Sequence, residues 1–213
     1  MLLSLLDPDF EASLIRSRAD LGDDDVCSAH ALARALEIGV AYYPQQVLRG
    51  LDAKLFHPRG RGRPPEIALR RGLTPRRRAW NIAHEIAESH LISRGYRRSD
   101  AEAAADGIAA ALMMPRRPFL QAAAEHRHEL VALSDDFAVE ETAAALRLAE
   151  VGAVDATAVV APTRVYARSF GAFVMPPEPE LRRIARSDAP FPGLRKVRFE
   201  DQPRRIALIA EAG

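Results

Sequence analysis

Ala83-His84-Glu85-Ile86-Ala87-Glu88-Ser89-His90 is the stretch on which the reading of this chain turns. It matches the zinc-binding helix pattern H-E-x-x-H at every defining position but the last, where Glu88 stands in place of a second His. Residues four apart on an α-helix lie only about 40° apart around its axis, so both can grip one metal ion while the Glu after the first faces the metal-bound water. His84 and Glu88 keep that spacing. His90 cannot supply the missing ligand on a continuous helix, because two further residues turn it by roughly 200° from Glu88. The stretch therefore reads as a metal site with an altered ligand or as one that has lapsed.

Thr74-Pro75 carries the cap-plus-proline signature of a helix start and predicts a motif helix reaching about Ser93. On that helix His84 and Glu88 share a face bordered by Trp80, Ala87 and Leu91 on one side and by Asn81 and Ile92 on the other. Two ionisable groups aimed at apolar surroundings need a compensating charge. A metal ion is one source; an arginine is another, and the helix begins with Arg76, Arg77 and Arg78.

Ser99-Asp100-Ala101-Glu102 opens a further helix on which Glu102, Asp106, Ala109 and Met113 line one face before Met114-Pro115 closes it. A carboxylate from a second helix is what a catalytic zinc site uses as a third protein ligand, leaving a fourth position for water. Ser99 and Glu102 equally spell a capping box, in which the Glu satisfies a backbone N–H. Spacing alone leaves both roles open.

Asp7-Pro8 predicts a first helix to about Leu21, and a second fits Val26 to Glu37. Strand-like runs follow at 40–43, 54–57 and 66–70, separated by the basic, turn-rich segment from Pro58 to Pro65, read as a solvated hairpin loop. His126 and His128 are two apart and cannot share a metal on a helix, and no further ligand is signalled near Cys27 and His30. The stretch 133–148 has a faint helix-turn-helix look that Ala-rich packing explains equally well. Beyond Val151 the chain turns β-rich, with runs at 157–161, 164–170, 196–199 and 206–209 around a short basic helix near 181–186. Its arginines interleave with Glu178, Glu180, Asp188, Glu200 and Asp201, which gives a mixed surface.

The 213 residues, 48% of them hydrophobic, suffice for a real core, and the organisation expected is a domain over 1–150 with a small β-rich subdomain over 151–213. Thirty basic residues against twenty-nine acidic ones leave a net charge of +1, which implies no general attraction to nucleic acid or membrane. A single cysteine excludes an internal disulfide and agrees with a reducing interior. The apolar start, Met1 to Leu6, lacks the basic flank and cleavage site of a secretory signal, and no run approaches the roughly 18 apolar residues of a membrane span. A cytoplasmic protein is expected.

Glu102-Ala103-Ala104-Ala105-Asp106-Gly107-Ile108-Ala109-Ala110-Ala111-Leu112-Met113-Met114-Pro115, placed shortly after Trp80-Asn81-Ile82-Ala83-His84-Glu85-Ile86-Ala87, resembles the ImmA/IrrE family of metallo-endopeptidases. That family reads as a basic-aromatic lead into HExxH and then E-x-x-A-N-x-F-A-x-x-L-L-M-P, and the resemblance spans roughly Ser28 to Leu148. It implies an α+β fold: a mostly helical zincin-like metallopeptidase core with a small antiparallel sheet, followed here by a smaller α/β appendage. It also implies that His84 is the first zinc ligand, Glu85 the general base and Glu102 the third ligand, with Glu88 at the second ligand's place. Asp106 stands where the family usually has Asn, and Ile108 where it has Phe. A His/Glu/Glu set suits zinc and also harder ions such as manganese, while an extra anion reduces the metal's power to acidify water, so a site without metal stays open. The implied partner is a protein, a helix-turn-helix repressor that is cut, or that is bound without being cut, with no direct contact to nucleic acid.

Overall fold

The computed structural model describes residues 6–56, 64–170, 174–187, 193–199 and 205–210, so most of the turn-rich segment at 58–65, together with His57, lies outside the described residues. The chain forms two compact units, one of residues 1–118 with 137–139, the other of residues 119–136 with 140–213. Among the described residues, no helix is long and apolar enough to cross a membrane.

In the first unit, helix α1 (Pro8–Arg18) starts where the Asp7 carboxylate accepts the amide N–H of Asp9 at 2.9 Å, with Pro8 in the first turn. Arg16 is 2% exposed and donates to the carbonyls of Asp25 (2.6 Å), Ala111 (3.3 Å) and Leu112. It thereby satisfies carbonyls at the end of α4, where a helix leaves its acceptors unpaired. Helix α2 (Ala29–Ala35) begins later than expected because the Ser28 hydroxyl, accepting from the Ala31 amide, sets its start.

Strands β1 (Gly39–Tyr43), β2 (Ala53–Phe56) and β3 (Glu66–Arg70) form a sheet of order β1-β3-β2. The β2–β3 pair is antiparallel, as expected for this small sheet, but β1 and β3 run parallel. The mixed pairing arises because residues 44–52 carry the chain from one edge to the other, leaving β3 central with Ile67, Ala68 and Leu69 wholly buried. This leaves β2 as an edge strand beside helix α3 (Pro75–Ser93).

Thr74 caps α3, its hydroxyl accepting the Arg77 amide at 3.2 Å. The helix packs chiefly on α4 (Arg98–Met113), whose inner face is small and apolar: Ala101, Ala105, Ile108, Ala109 and Leu112. Small residues let two helix axes approach closely. Because α4 begins at Arg98, one residue before Ser99, with Arg97 at the N-cap and no side-chain cap, the Ser99–Glu102 capping box does not form. At the far end of α3, His90 Nε2 lies 2.9 Å from Glu11 of α1, which also accepts from Arg94 at 2.6 Å.

Helix α5 (Arg116–Glu125) leads into the second unit, which contains α6 (Leu130–Asp136) and α7 (Glu141–Glu150). Its sheet of β4 (Ala156–Val160), β5 (Val165–Ser169), β6 (Arg195–Arg198) and β7 (Ile206–Ala210) has the order β5-β4-β7-β6 and is antiparallel throughout. Helix α8 (Glu178–Arg186) covers it by packing Leu181, Ile184 and Ala185 on Ala158, Val160 and Leu208. Gly152 follows α7 at φ +76°, with the Phe170 ring 2.9 Å from where a Cβ would stand.

Candidate metal centre

The site lies where α3 and α4 run antiparallel, which the contacts themselves define: His84 meets Glu102 and Asp106, and Glu88 meets Arg98. His84 Nδ1 lies 2.9 Å from Asp106 Oδ1, and its Nε2 lies 3.6 Å from Glu102 Oε2. Glu102 and Asp106 are one turn apart on α4, so the two carboxylates take the two ring nitrogens. The side chain of His84 is 17% exposed while each carboxylate is 63% exposed, so the imidazole forms the floor and the acids the rim.

Glu85 is buried and its Oε2 accepts the Leu55 amide at 2.7 Å, from the open edge of β2. Burial pushes its carboxyl pKa up; the Leu55 N–H and His84 pull against this, and the net direction is upward. Burial alone would push His84 down, but the Asp106 hydrogen bond and the charges of Asp106, Glu102 and Glu85 outweigh it and hold the imidazole above its ordinary value. A buried base with a raised pKa next to a held imidazole is a common arrangement in hydrolytic sites.

Glu88 is as buried as Glu85, and its counter-charge is Arg98, with Nε at 3.3 Å. The arginine comes from α4 rather than from the run 76–78 that starts α3. There Arg77 joins Arg70 on Asp52, and Arg78 lies over the Tyr42 ring, 5.8 Å from its centroid. The sequence did contain a signal for Arg98: in an antiparallel helix pair that sets residue 84 against 102, residue 88 falls opposite 98. Asp106, legible beforehand only as a face residue, is the group that fixes His84.

The structure thus brings together His84, Glu102 and Asp106, holds Glu85 beside them and turns Glu88 to Arg98. Among the described residues, no group of three or more His, Cys, Asp or Glu side chains is gathered so as to enclose a metal ion. The donor chemistry nonetheless suits one. Two ligands bonded to one tetrahedral zinc at about 2.1 Å lie about 3.4 Å apart, close to the separation of Nε2 and Oε2, and a carboxylate on the far nitrogen is the usual support of a metal-bound His. The third group, Glu88, is drawn toward Arg98 through Oε1.

Cys27 and the described histidines His30, His126 and His128 have surroundings of their own. His30 Nε2 contacts the Tyr42 hydroxyl at 3.2 Å, and the Cys27 thiol is pushed up by burial. His126 pairs with Asp136 at 2.7 Å, and His128 sits with Arg127 in a left-handed turn after α5 rather than on a helix.

The family model described as the IrrE N-terminal-like domain matches residues 45–149. No curated protein matches the chain. Among solved structures, a Mycobacterium tuberculosis transcriptional regulator has a TM-score of 0.60 at 20% identity, over 78% of this chain and 56% of that one. This chain therefore spans little more than half the length of that regulator, and at such identity the likeness is one of fold. The matched residues hold β2, β3, α3 and α4, and with them Leu55, His84, Glu85, Glu88, Arg98, Glu102 and Asp106, so the candidate site lies within a stretch that is similar to the IrrE N-terminal-like domain.

Proposed function

We propose that this chain is a metal-dependent endopeptidase that controls a helix-turn-helix transcriptional repressor by cutting it. The observation carrying this reading is the 3.6 Å between His84 Nε2 and Glu102 Oε2, with Asp106 holding the other ring nitrogen. His84, Glu88 and Glu102 would hold the ion, zinc first and manganese second given the two carboxylates. When bound, it supplies Lewis acidity toward a peptide carbonyl and lowers the pKa of a water.

The remaining chemistry belongs to the chain. Glu85 is anchored through Oε2 on Leu55, which leaves Oε1 to receive a proton from the attacking water and pass it to the departing amine. Its raised pKa brings it nearer the pH at which a carboxylate base is effective. Asp106 keeps the imidazole turned with Nε2 toward Glu102. The description of the fold neighbour as a transcriptional regulator is in keeping with a regulatory substrate.

A second reading, a protein that binds a repressor without cutting it, is favoured by the Glu88–Arg98 pair, which satisfies the second ligand's charge internally. Elemental analysis of protein purified without a His-tag separates the two, using the wild type, Glu88→Ala, Glu102→Ala and Glu88→His, followed by incubation of each with candidate repressors. Near-stoichiometric metal in the wild type, lost in both Ala variants, together with a cut repressor supports the peptidase. A wild type without metal that gains zinc as Glu88→His, and that retains a repressor intact, supports binding alone.

A further inference from the structure

At one end of the second unit's sheet, Val160 of β4, Ile206 of β7 and Arg198 of β6 stand in one cross-strand row, because Ile206 is the register partner of both others. The C-terminal half of α8 lies along this row and adds Arg182, Ala185 and Arg186, one helical turn separating the two arginines. Together they line a cleft of about 370 Å³. Clefts of roughly 300–1,000 Å³ with an apolar floor and a few convergent polar groups are the usual form of small-ligand sites.

The cleft is built rather than incidental. Arg182 is fixed by Glu178 at 2.8 Å and donates to the carbonyls of Ala161 (3.0 Å) and Pro162 (3.3 Å), so it braces the rim. Arg186 pairs with no acid among the described residues and leaves its guanidinium at the mouth. A helix C-terminus would ordinarily repel an anion, but Lys196 donates to the carbonyls of Ile184 (2.7 Å) and Ser187 and offsets that charge. The side chains of Val160, Ala185 and Ile206, which form the floor, are apolar.

We propose that this cleft is a binding site for a small organic anion, its carboxylate or phosphate oxygens on Arg186 and Arg198 and its apolar body on Val160, Ala185 and Ile206. A guanidinium fork presents paired donors to such oxygens, and the floor selects ligands that also carry a hydrocarbon portion. The site lies within the second unit and is independent of the metal reading.

The test is titration of the full chain, followed by NMR of the arginine Nε–H groups and of the Val160 and Ile206 methyls, with hexanoate, hexan-1-ol and inorganic phosphate as probes. Hexanoate should shift Arg186, Arg198 and both methyl sets in one saturable process, and hexyl phosphate in its place separates the two headgroups. Hexan-1-ol and phosphate alone should bind at least about tenfold more weakly, each lacking one half of the recognition. Arg186→Gln should weaken hexanoate by about tenfold, the loss of a charge-assisted contact. Arg183→Gln on the same helix, whose arginine is paired with Glu180, should leave it unchanged. Absence of a saturable response at these residues overturns the proposal, as does equal weakening by the two substitutions or equal binding of hexan-1-ol.

Discussion

Arg98→Ala probes the centre of the site, because Arg98 stands between Glu88 and any role as a ligand. The pair joins a buried carboxylate to a guanidinium that is 71% exposed, so solvent screens most of its Coulomb energy and its worth is about 0.2–1 kcal/mol. Two consequences follow from the same quantity. The metal-free protein should lose no more than about 1 kcal/mol of unfolding free energy. Metal binding no longer competes with the guanidinium for the Glu88 carboxylate, so the dissociation constant for zinc or manganese should fall, by up to about fivefold. Removing a positive charge from beside a dication acts in the same direction. Competition against a chromophoric chelator measures the affinity, and urea unfolding measures the stability. Arg97→Ala is the control, since Arg97 is exposed and precedes the helix without a contact to Glu88. Unchanged or weaker metal binding in Arg98→Ala, or equal tightening in Arg97→Ala, would show that Arg98 does not restrain Glu88.

Three further outcomes are expected. Burial pushes Asp52 up, but its bonds to Arg70 and Arg77 prevail and hold the carboxyl below 3.8; the stabilisation is present above that pH and is lost as pH falls through the lower folded-state value. Urea unfolding of Asp52→Asn should therefore show a deficit at neutral pH that closes in acid. Gly152→Ala forces a Cβ to 2.9 Å from the Phe170 ring at φ +76°, so thermal unfolding should show a loss of about 1–3 kcal/mol. Arg16→Met leaves the carbonyls of Asp25, Ala111 and Leu112 without their buried donor, and denaturation followed by circular dichroism should register about 2–5 kcal/mol.

What the sequence made legible is what local chemistry decides. Asp7-Pro8 and Thr74-Pro75 placed the starts of α1 and α3, since a cap is an interaction between near neighbours. The β3 run at 66–70 was legible too, as a short strand-like run bounded by the turn-rich segment before it. Long-range choices were not visible. Whether Glu102 caps its own helix or faces His84 depends on α4 beginning one residue before Ser99, and the parallel β1–β3 pair depends on where residues 44–52 cross. The bond from Leu55 to Glu85 links groups thirty residues apart and has no local signature. Spacing put forward His84, Glu85 and Glu88 as candidates and left Glu102 between two roles, whereas the contacts of Arg98 and Asp106 require both helices in place.

The buried contact between His90 and Glu11 has a mechanical effect on this site. It clamps α3 from behind, and with Arg94 it fixes the angular position of the helix about its own axis. The opposite face can then exchange a residue without the others losing their aim. Glu88 occupies the last position of the H-E-x-x-H pattern while His84 and Glu85 still point at α4 and β2, because orientation is held by one set of residues and chemistry by another. A scaffold of that kind keeps its bearings through a substitution at position 88, and equally through its reversal.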